Sequence, residues 1–412
     1  MSPPDPIAYH RLIDPPWKNN SQLQKIMRVI AGSDEAVRIA GGAVRDTLLK
    51  RPMTDIDLAT TALPDLVTAR AKASGLRVVP TGIAHGTVTI IAAGTPFEVT
   101  TLREDIATDG RHATVTFGRD WTKDASRRDF TINALYADFD GRVIDYVGGI
   151  ADCEARRVRF IGIPETRIRE DYLRILRFYR FCAVFGVTDF DQAAIAAITA
   201  LSAGIDILSG ERIGQEMQKL VVAEGAVAAL EAMRRHDILG RTIGVEPTDL
   251  TAFKRLRIRL AALERASLPM PANVATLLLA ALVTTETEAI MLASQLRLSN
   301  AARDRITAAL RARDTLSAMP DAVDLPRLIY RRGTEAVIDG ALLALGDDAT
   351  ALNRIAAAHA FTPKPLPVNG HDLIAAGIPS GPAVGTTLED LTDHWIESGF
   401  TLTREALLAM IR

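Results

Sequence analysis

The sequence predicts two regions of different fold class, a mixed region of strands and helices followed by an all-helical region, with the change near Gly149. Before this point, short runs of strand-forming residues alternate with segments of helical period. After it, almost every segment has helical period, and Ala and Leu are abundant. A chain of 412 residues is also too long for one typical core, so we expect two to four packed units.

The elements of the mixed region can be read in order. A short apolar strand leads into the pair Gly41 and Gly42, and later an alternating polar and apolar run is followed by a helix that Pro64 opens. Two further strands are joined by a turn at Gly94. The predicted strands cover residues 38–40, 54–60, 86–91, 96–102 and 143–146, and the predicted helices cover residues 43–50 and 63–74. In the all-helical region the clearest helices are predicted at residues 170–184 and 211–220.

The composition is that of an ordinary globular protein, with 48% hydrophobic and 24% charged residues. The formal net charge of −2 does not by itself indicate a nucleic-acid partner, although local basic faces can exist within such a total. Because only 5% of the residues are aromatic, the composition argues against a surface that binds RNA mainly by stacking bases on aromatic side chains.

Neither a metal cluster of cysteines nor a membrane segment is predicted. The two cysteines, Cys153 and Cys182, form no CxxC motif and no Cys/His cluster, which argues against a structural zinc site. The N-terminus lacks the basic segment followed by an apolar run that is typical of a signal peptide. No apolar stretch reaches the roughly 18 residues of a membrane span. We expect a cytoplasmic protein with no membrane partner, and we infer no obligate protein partner.

Asp55 and Asp57 are the sharpest chemical feature. On a strand, residues i and i+2 point to the same face, so both carboxylates can converge on one point. Mg²⁺ prefers oxygen ligands and usually takes one or two protein carboxylates together with phosphates and water. Glu98 lies in a predicted strand between Phe97 and Val99, and it is either a third acid at the same site or an exposed strand carboxylate.

Two segments, one before and one after Asp55 and Asp57 in the sequence, can supply contacts to phosphate. Gly41 and Gly42 stand between a strand and a helix, where glycine allows close approach of a ligand, and Arg45 adds a positive charge. The alternative is a simple strand-to-helix turn with Arg45 exposed. Arg128, with Arg127 before it, presents a planar fork suited to phosphate or ribose, and the alternative is that Asp129 holds an arginine in a structural pair.

The predicted helix at residues 170–184 carries an unusual stripe of charge. Asp171, Arg174, Arg177 and Arg180 recur every three residues and therefore form a slowly drifting line along one side. A solvated charged face is one interpretation of this line. The other is base recognition, because an acid and an arginine one turn apart can accept from and donate to the edge of a nucleotide base.

These segments, taken in order, resemble a known family. GGAVRD with TDIDLAT, RRDFTINAL, REDYLRILRFYRF and ERIGQEMQKL are similar to the motifs of class II tRNA nucleotidyltransferases and bacterial poly(A) polymerases, within the DNA polymerase beta superfamily. FEVTTLRED followed by TDGRHATVTF resembles the family's strand and mobile loop, and LPVNGHDLIAAGIPSGPAVG extends a looser similarity towards the C-terminus. Each motif is modest alone, but the ordered set is specific.

The resemblance implies an α+β nucleotidyltransferase head, with a mixed sheet and helices, followed by an all-α neck, body and tail. The corresponding boundaries are residues 1–148, 149–220, 221–320 and 321–412. It also implies that Asp55 and Asp57 are the metal-binding pair and that Glu98 lies in the matching catalytic strand. Gly42 and Arg45 match positions that hold the incoming triphosphate.

The remaining site residues follow from the same resemblance. Arg128 matches a further nucleotide contact, and Asp171 and Arg174 match the pair that selects CTP and then ATP in place of a template base. Arg177 and Arg180 match arginines that support the triphosphate and the base. The segment at residues 109–116 matches the loop that coordinates the switch from CTP to ATP.

The activity that the resemblance implies is template-independent addition of CMP and AMP, from CTP and ATP, to the 3′ ends of tRNA with release of pyrophosphate. Asp55 and Asp57 are then expected to hold two Mg²⁺ ions. Residues 74–91 lack the basic segment usual in the poly(A) polymerases, and the loop-like segment favours CC or CCA addition. A CC-adding enzyme, a poly(A) polymerase and a small-molecule nucleotidyltransferase stay open as alternatives.

The helical region is expected to grip the acceptor stem of tRNA through its phosphates. The candidate contacts, which are otherwise solvated positions on helix faces, are Arg255, Arg257, Arg259, Arg303, Arg305, Arg311 and Arg313. His236 and Asp237 form a dipeptide typical of some metal phosphohydrolases, but no matching ligand set accompanies it. We interpret this dipeptide as a helix end.

Overall fold

The structure is a computed structural model that describes residues 5–53, 55–82, 86–109, 112–318 and 324–411. The chain divides into two compact units, Met1–Glu246 and Pro247–Arg412. The first unit contains the described strands, together with eleven of the described helices. The second unit is helical throughout its described part.

The described strands of the first unit form one mixed sheet and one hairpin. The strands are β1 (Ala8–Arg11), β2 (Val37–Ala40), β3 (Asp57–Thr60), β4 (Arg77–Gly82), β5 (Thr87–Ala92), β6 (Thr95–Thr101), β7 (Arg103–Asp109), β8 (His112–Phe117), β9 (Leu135–Ala137) and β10 (Arg142–Asp145). The sheet has the order β1-β10-β9-β2-β3-β6-β5-β4, and β7 pairs with β8 separately. Strands β3 and β6 run parallel, whereas the other pairs of described strands run antiparallel.

The helices of the first unit surround this sheet and continue beyond it. They are α1 (Ser21–Ala31), α2 (Gly42–Leu48), α3 (Pro64–Ala73), α4 (Trp121–Ser126), α5 (Gly149–Glu154), α6 (Pro164–Glu170), α7 (Leu173–Phe185), α8 (Gln192–Leu201), α9 (Gly210–Val221), α10 (Ala226–Arg235) and α11 (Leu239–Ile243). Short 3-10 turns lie at Thr131–Asn133 and Ser202–Ile207.

The second unit consists of short and medium helices. They are α12 (Thr251–Arg265), α13 (Val274–Ala280), α14 (Glu286–Gln295), α15 (Asn300–Ala318), α16 (Leu325–Arg332), α17 (Thr334–Leu343), α18 (Asp348–Ala360), α19 (Gly370–Ala375), α20 (Pro382–Glu397) and α21 (Arg404–Leu408). None of the helices in the described part of the chain is both long and apolar enough to span a membrane.

Local sequence explains where several helices begin. The Asn20 side chain accepts a hydrogen bond from the Leu23 N–H at 2.9 Å and so caps α1. Pro64 occupies the first turn of α3, where its missing N–H costs no helical hydrogen bond. The Asp120 carboxylate accepts from the N–H groups of Thr122 and Lys123 and caps α4.

A small buried cluster fixes the strand ends that lead to the site. Its members are Ala40, Ala59, Leu102, Trp121, Ala125, Ala134, Tyr136 and Ile161. Trp121 and Tyr136 meet edge to face, with ring centroids 5.0 Å apart. Because Ala40 belongs to this cluster, the turn that follows it starts from a strand end held by close packing.

The structure confirms the predicted change from a mixed sheet with helices to an all-helical region. It corrects two elements. The predicted strand at residues 54–60 begins only at Asp57, so alternation along a strand does not position Asp55. The predicted helix at residues 170–184 is broken, because α6 ends at Glu170 and α7 begins at Leu173.

The break is centred on Asp171, whose backbone is extended with φ −158° and ψ 107°. Its side chain accepts a hydrogen bond from the Leu173 N–H at 3.1 Å, and its carbonyl accepts one from the Arg174 N–H at 3.0 Å. A short carboxylate that bonds the backbone in this way competes with continued helix. The one-turn helical spacing predicted for Asp171 and Arg174 is therefore wrong.

Candidate active site

The site is a cavity of about 530 Å³ within the first unit. Its described lining is Ala40, Gly41, Gly42, Arg45, Asp57, Leu58, Thr87, Glu98, Thr100, Arg103, Arg127, Arg128, Asp129, Asn133, Asp171, Leu173, Arg174, Arg177, Phe181 and Arg212. Seven arginines and four acidic residues stand among these described positions. The excess of guanidinium groups suits a polyanion such as a triphosphate.

Asp57 and Glu98 lie side by side at the junction of the parallel strands β3 and β6, where they are register partners. The two strands are therefore neighbours, and Glu98 is exposed while lining the same cavity as Asp57. Although Asp57 is exposed at the cavity surface, partial desolvation, followed by the charges of Glu98 and Asp55, raises the pKa of Asp57, and the nearby charge of Arg128 opposes this effect. A carboxylate crowded by other acids favours a compensating cation.

Asp55 precedes β3 and does not line the cavity, although its charge still acts on Asp57. Within the described ranges, no group of three or more His, Cys, Asp or Glu side chains has an arrangement that could hold a metal ion. A metal here would therefore depend on one or two carboxylates and on oxygen atoms supplied by substrate or water, which is the usual mode for Mg²⁺.

The glycine pair forms the turn between β2 and α2. Gly41 has φ 66°, and a Cβ at this position would lie 3.2 Å from Nη1 of Arg128 and 3.4 Å from the carbonyl oxygen of Asn133. A side chain at Gly42 would meet only ordinary contacts. Glycine is therefore required at residue 41, both for its backbone conformation and for the close approach of Arg128.

Arg45 lines the cavity but is already well held. It forms paired hydrogen bonds with Asp46 at 2.9 Å each, and its Nη1 donates to Oδ1 of Asn133 at 2.6 Å. Its guanidinium lies 5.2 Å from the centroid of the Phe181 ring. The expected alternative, an exposed arginine on a simple turn, is wrong because only 12% of this side chain is exposed.

Arg128 also lines the cavity. Its Nη1 donates to the carbonyl oxygen of Asn133 at 3.1 Å, and its guanidinium lies 5.2 Å from the centroid of the Tyr136 ring. Although burial acts against its charge, Tyr136 and Asp124 raise the pKa of Arg128. This side chain is fixed in place rather than free to swing.

Arg177 and Arg180 on α7 are not a solvated stripe. Arg177 donates to Oδ2 of Asp129 at 2.8 Å from Nε, and Arg180 pairs with Glu216 on α9. Of the two, only Arg177 lines the cavity. Burial opposes ionisation of Asp129, but Arg177 and a hydrogen bond from Asn133 lower the pKa of its carboxyl group below the ordinary value. Asp129 therefore holds an arginine in an ion pair, as one interpretation expected, and it also lines the cavity.

Asp171 and Arg174 both line the cavity, although each has another partner. Arg212 on α9 donates to Oδ2 of Asp171 at 2.7 Å. Arg174 pairs with Glu170 and also donates to the carbonyl oxygen of Arg167 at 2.9 Å. The two groups predicted to read a base therefore share one cavity, and a third element, α9, fixes the acid.

Sequence reasoning missed Arg212, Glu216 and Asn133 as individual site residues. A signal existed for Glu216, because it lies on the buried face of α9 with Ile213 and Met217, where a charged residue needs a partner. Arg212 stands one turn before it. Nothing in the sequence singles out Asn133, which becomes important only through its contacts with Arg45 and Arg128.

Two of the arginines expected to contact tRNA are structural parts of the second unit. The Arg259 side chain is fully buried, donates to the carbonyl oxygens of Ala341, Leu342 and Ala344, and pairs with Asp348 at 2.8 Å. It thus caps the C-terminal end of α17. Arg305 pairs with the buried Asp339 at 2.6 Å. The prediction that Arg259 and Arg305 lie on solvated or RNA-binding faces is wrong.

The expected helix end at His236 and Asp237 is confirmed, because α10 ends at Arg235 and His236 is its C-cap. Cys153 and Cys182 are both buried free cysteines.

Comparison with known proteins gives consistent matches. Residues 37–159 match the family described as "Poly A polymerase head domain", and residues 189–241 match "Probable RNA and SrmB- binding site of polymerase A". The chain is 34% identical over 406 residues to the mitochondrial CCA tRNA nucleotidyltransferase 1 of Mus musculus, covering 95% of this chain and 89% of that protein. It is 34% identical to the CCA-adding enzyme of Limosilactobacillus fermentum, covering 89% and 90%.

A solved structure shows the same fold over nearly the whole chain. The Bacillus stearothermophilus CCA-adding enzyme in complex with CTP has a TM-score of 0.77 and 28% identity, and the match covers 96% of this chain and 97% of that one. Together with the two relatives, this similarity extends well beyond the head domain to both compact units. The chain therefore belongs to the family of the CCA tRNA nucleotidyltransferases, as the ordered motifs of its sequence predict.

Proposed function

We propose that this protein adds CMP and AMP, from CTP and ATP, to the 3′ ends of tRNAs without a template and with release of pyrophosphate. The proposal rests on one cavity in which the carboxylates of Asp57 and Glu98 lie with the arginine-rich lining. Such a cavity offers the Asp57 carboxylate for a metal, guanidinium groups for a triphosphate, and an acid with an arginine for a base edge.

The triphosphate is assigned to the part of the cavity near the Gly41 turn. Gly42 begins α2 beside this turn, and Arg45 and Arg128 are both anchored to Asn133. Because their hydrogen bonds fix their positions in advance, little side-chain entropy is lost when a polyanion binds.

Arg177 and Arg180 support the same end of the cavity. Arg177 does so through its pair with Asp129, and Arg180 through its pair with Glu216.

Mg²⁺ is assigned to Asp55 and Asp57. The residues fit a cation because the pKa of Asp57 is raised by partial desolvation and by the neighbouring charges of Glu98 and Asp55, which a divalent ion would offset. Bound there, the metal would supply Lewis-acid chemistry at the 3′-hydroxyl and the triphosphate. Glu98 is assigned as an acid that sets the charge around Asp57 rather than as a further ligand.

Base selection is assigned to Asp171 and Arg174. The Asp171 carboxylate can accept from the amino group that cytosine and adenine share, and Arg174 can donate to a ring nitrogen or carbonyl oxygen. Arg212 keeps the carboxylate of Asp171 in place at 2.7 Å. A site that satisfies these groups rejects a base that leaves them unpaired.

The remaining assignments concern the whole chain. We propose that the head comprises residues 1–148 and the neck residues 149–220, and the cavity lining falls within these two segments. The body at residues 221–320 and the tail at residues 321–412 are assigned to the acceptor stem and neighbouring parts of tRNA. A cytoplasmic location is part of the proposal, although relatives include proteins named as mitochondrial.

A nucleotide incorporation assay tests the function. Purified protein is incubated with tRNA that lacks CCA, with CTP alone, ATP alone, or both, and the 3′ ends of the products are sequenced. We expect CC with CTP alone and CCA with both nucleotides. Products that stop at CC in the presence of ATP would indicate a CC-adding enzyme, and long A tracts would indicate a poly(A) polymerase. No extension of tRNA at all would contradict the proposal.

A further inference from the structure

We propose that Asp124, which does not line the cavity, is a positioning residue whose buried carboxylate holds Arg127 and Arg128 towards the triphosphate. The inference rests on the proposed function and adds a residue to it. Asp124 lies on the short helix α4, three and four residues before the two arginines, so one turn of chain brings all three side chains together.

Each oxygen of the Asp124 carboxylate contacts a different one of the two arginines. Oδ1 of Asp124 accepts from Nε and Nη2 of Arg127 at 2.9 and 2.7 Å. Oδ2 accepts from the hydroxyl of Tyr136 at 2.6 Å and lies 3.3 Å from Nη2 of Arg128. Only 1% of Asp124 is exposed, so the hydrogen bonds that water would make to this carboxylate are made by these protein donors instead.

The arrangement fixes the direction of each guanidinium. Arg128 is held on one edge by Asp124 and on the other by its Nη1 bond to the carbonyl oxygen of Asn133. Arg127 is held by two bonds to one oxygen. Both arginines line the cavity, with 15% and 22% of their side chains exposed.

One acid shared by two arginines leaves a net positive charge at the cavity. A single carboxylate satisfies the arginines enough for them to be buried, yet it leaves one excess positive charge facing the cavity. Burial opposes the ionisation of Asp124, but Arg128, Arg127 and the Tyr136 hydroxyl lower its pKa, so the carboxylate stays charged at neutral pH. Removal of its charge would leave two guanidiniums without their common anchor.

The test measures the affinity for CTP in the presence of Mg²⁺ by isothermal titration calorimetry, without tRNA, and melting temperatures in parallel. Asp124→Asn keeps the shape and removes the charge, so we expect the Kd for CTP to rise at least tenfold. Asp124→Glu keeps the charge and displaces it by one methylene, so we expect a rise of at least threefold. This second variant tests the position of the carboxylate even if the first does not fold.

Asp145→Asn is the matched control. Asp145 is also a fully buried carboxylate, but it accepts hydrogen bonds from the N–H groups of Val147, Gly148 and Ile150 and does not line the cavity. Its variant should lose melting temperature while keeping the Kd for CTP within twofold of the wild type. Asp124 variants that bind CTP as the wild type does, or an equal loss in Asp145→Asn, would overturn the proposal.

The outcome is separable from that of the proposed function. A wild-type protein that binds CTP and fails to extend tRNA would contradict the tRNA activity while the effect of Asp124 on CTP still stands. A wild type that extends tRNA, with Asp124 variants unchanged in their Kd for CTP, would contradict the positioning role alone.

Discussion

Arginines dominate the cavity, and several of them are bound to the protein before any nucleotide arrives. Arg45 is held by Asp46 and Asn133, and Arg174 is held by Glu170. Such pairs limit side-chain motion, and a bidentate guanidinium keeps further N–H groups available for a ligand. The residue types of the site were predictable from the sequence, whereas their protein partners were not.

Base choice is the property that tests individual residues most sharply. We predict that Asp171→Ala and Arg174→Ala each lower the ratio of kcat/KM for CTP over UTP by about tenfold or more, because a mismatched base is no longer penalised by an unpaired, half-buried group. Arg212→Ala should lower the ratio in the same direction, since Arg212 holds Asp171. The measurement is single-nucleotide incorporation into tRNA at varied CTP and UTP.

Arg169→Ala provides the control for this experiment, because Arg169 is exposed and does not line the cavity. Its ratio should equal that of the wild type. If the Asp171 and Arg174 variants also keep the wild-type ratio and lose only overall rate, the base-selecting role is wrong.

The sequence predicted five strands of the sheet and the helices α2, α3 and α9, but it did not predict the break at Asp171. Hydrophobic period continues from Ile168 through Leu173 and Leu176, so the pattern alone favours one helix. The side-chain hydrogen bond of Asp171 to the Leu173 N–H ends this helix locally. Strand β3 is also shorter than the alternating sequence pattern. Alternation of polar and apolar residues does not specify the residue at which strand pairing begins.

The link between the segment at Asp129 and helix α7 can be tested through stability. Arg177→Met leaves the carboxylate of Asp129 buried without its cation, which we expect to cost about 3 kcal/mol at pH 7. In the wild type the pKa of Asp129 is lowered, so its stabilising contribution is present above the pKa of the unfolded chain and is lost as the pH falls through the folded value.

In the Arg177→Met variant, burial raises the pKa of Asp129 instead, so the deficit should shrink as the pH falls through that raised value. The measurement is the difference in melting temperature between wild type and variant at pH 7 and at acidic pH. The double variant Asp129→Asn with Arg177→Met, which removes both charges, should recover part of the loss. A deficit that is independent of pH would contradict the ion-pair explanation.

The hairpin of β7 and β8 has a separate role in the proposal. Its strands pair from Arg103 with Phe117 to Asp109 with His112, and residues 110 and 111 lie outside the described residues. We propose that deletion of residues 109–112 leaves CC addition within about threefold and lowers terminal A addition at least tenfold, as expected for a gating segment. Product sequencing over time checks this, and equal slowing of both steps would argue against a switching role.

At the scale of the whole molecule, the site is assembled from segments far apart in the chain. The cavity lining runs from Ala40 to Arg212 and lies within one compact unit. The order of the motifs identified the family, because a full set in sequence is specific where each motif is not. The pairing of Arg177 with Asp129, or of Arg180 with Glu216, depends on tertiary packing and could not be predicted from spacing.

In the second unit, the sequence pattern of α12 indicates that Arg259 is buried. Arg259 lies three residues after Leu256 and four before Leu263, which are both buried on α12. An arginine in the middle of the apolar face of a helix can be buried only if it is paired with other groups. Helical period would therefore have separated Arg259 from the exposed Arg303 of α15.

We propose that one cavity carries out both C and A addition and that both additions need Asp57 in its lining. Asp57→Ala removes the carboxylate that is the register partner of Glu98, and loss of this proposed metal ligand should remove several kcal/mol of catalytic stabilisation. The decisive measurement is the rate of CMP and of AMP incorporation by this variant, with tRNA affinity measured alongside. We predict that both rates fall more than 100-fold, a threshold consistent with that loss, while tRNA binding stays within about twofold. Activity within tenfold of the wild type, or loss of only one of the two additions, would contradict the claim.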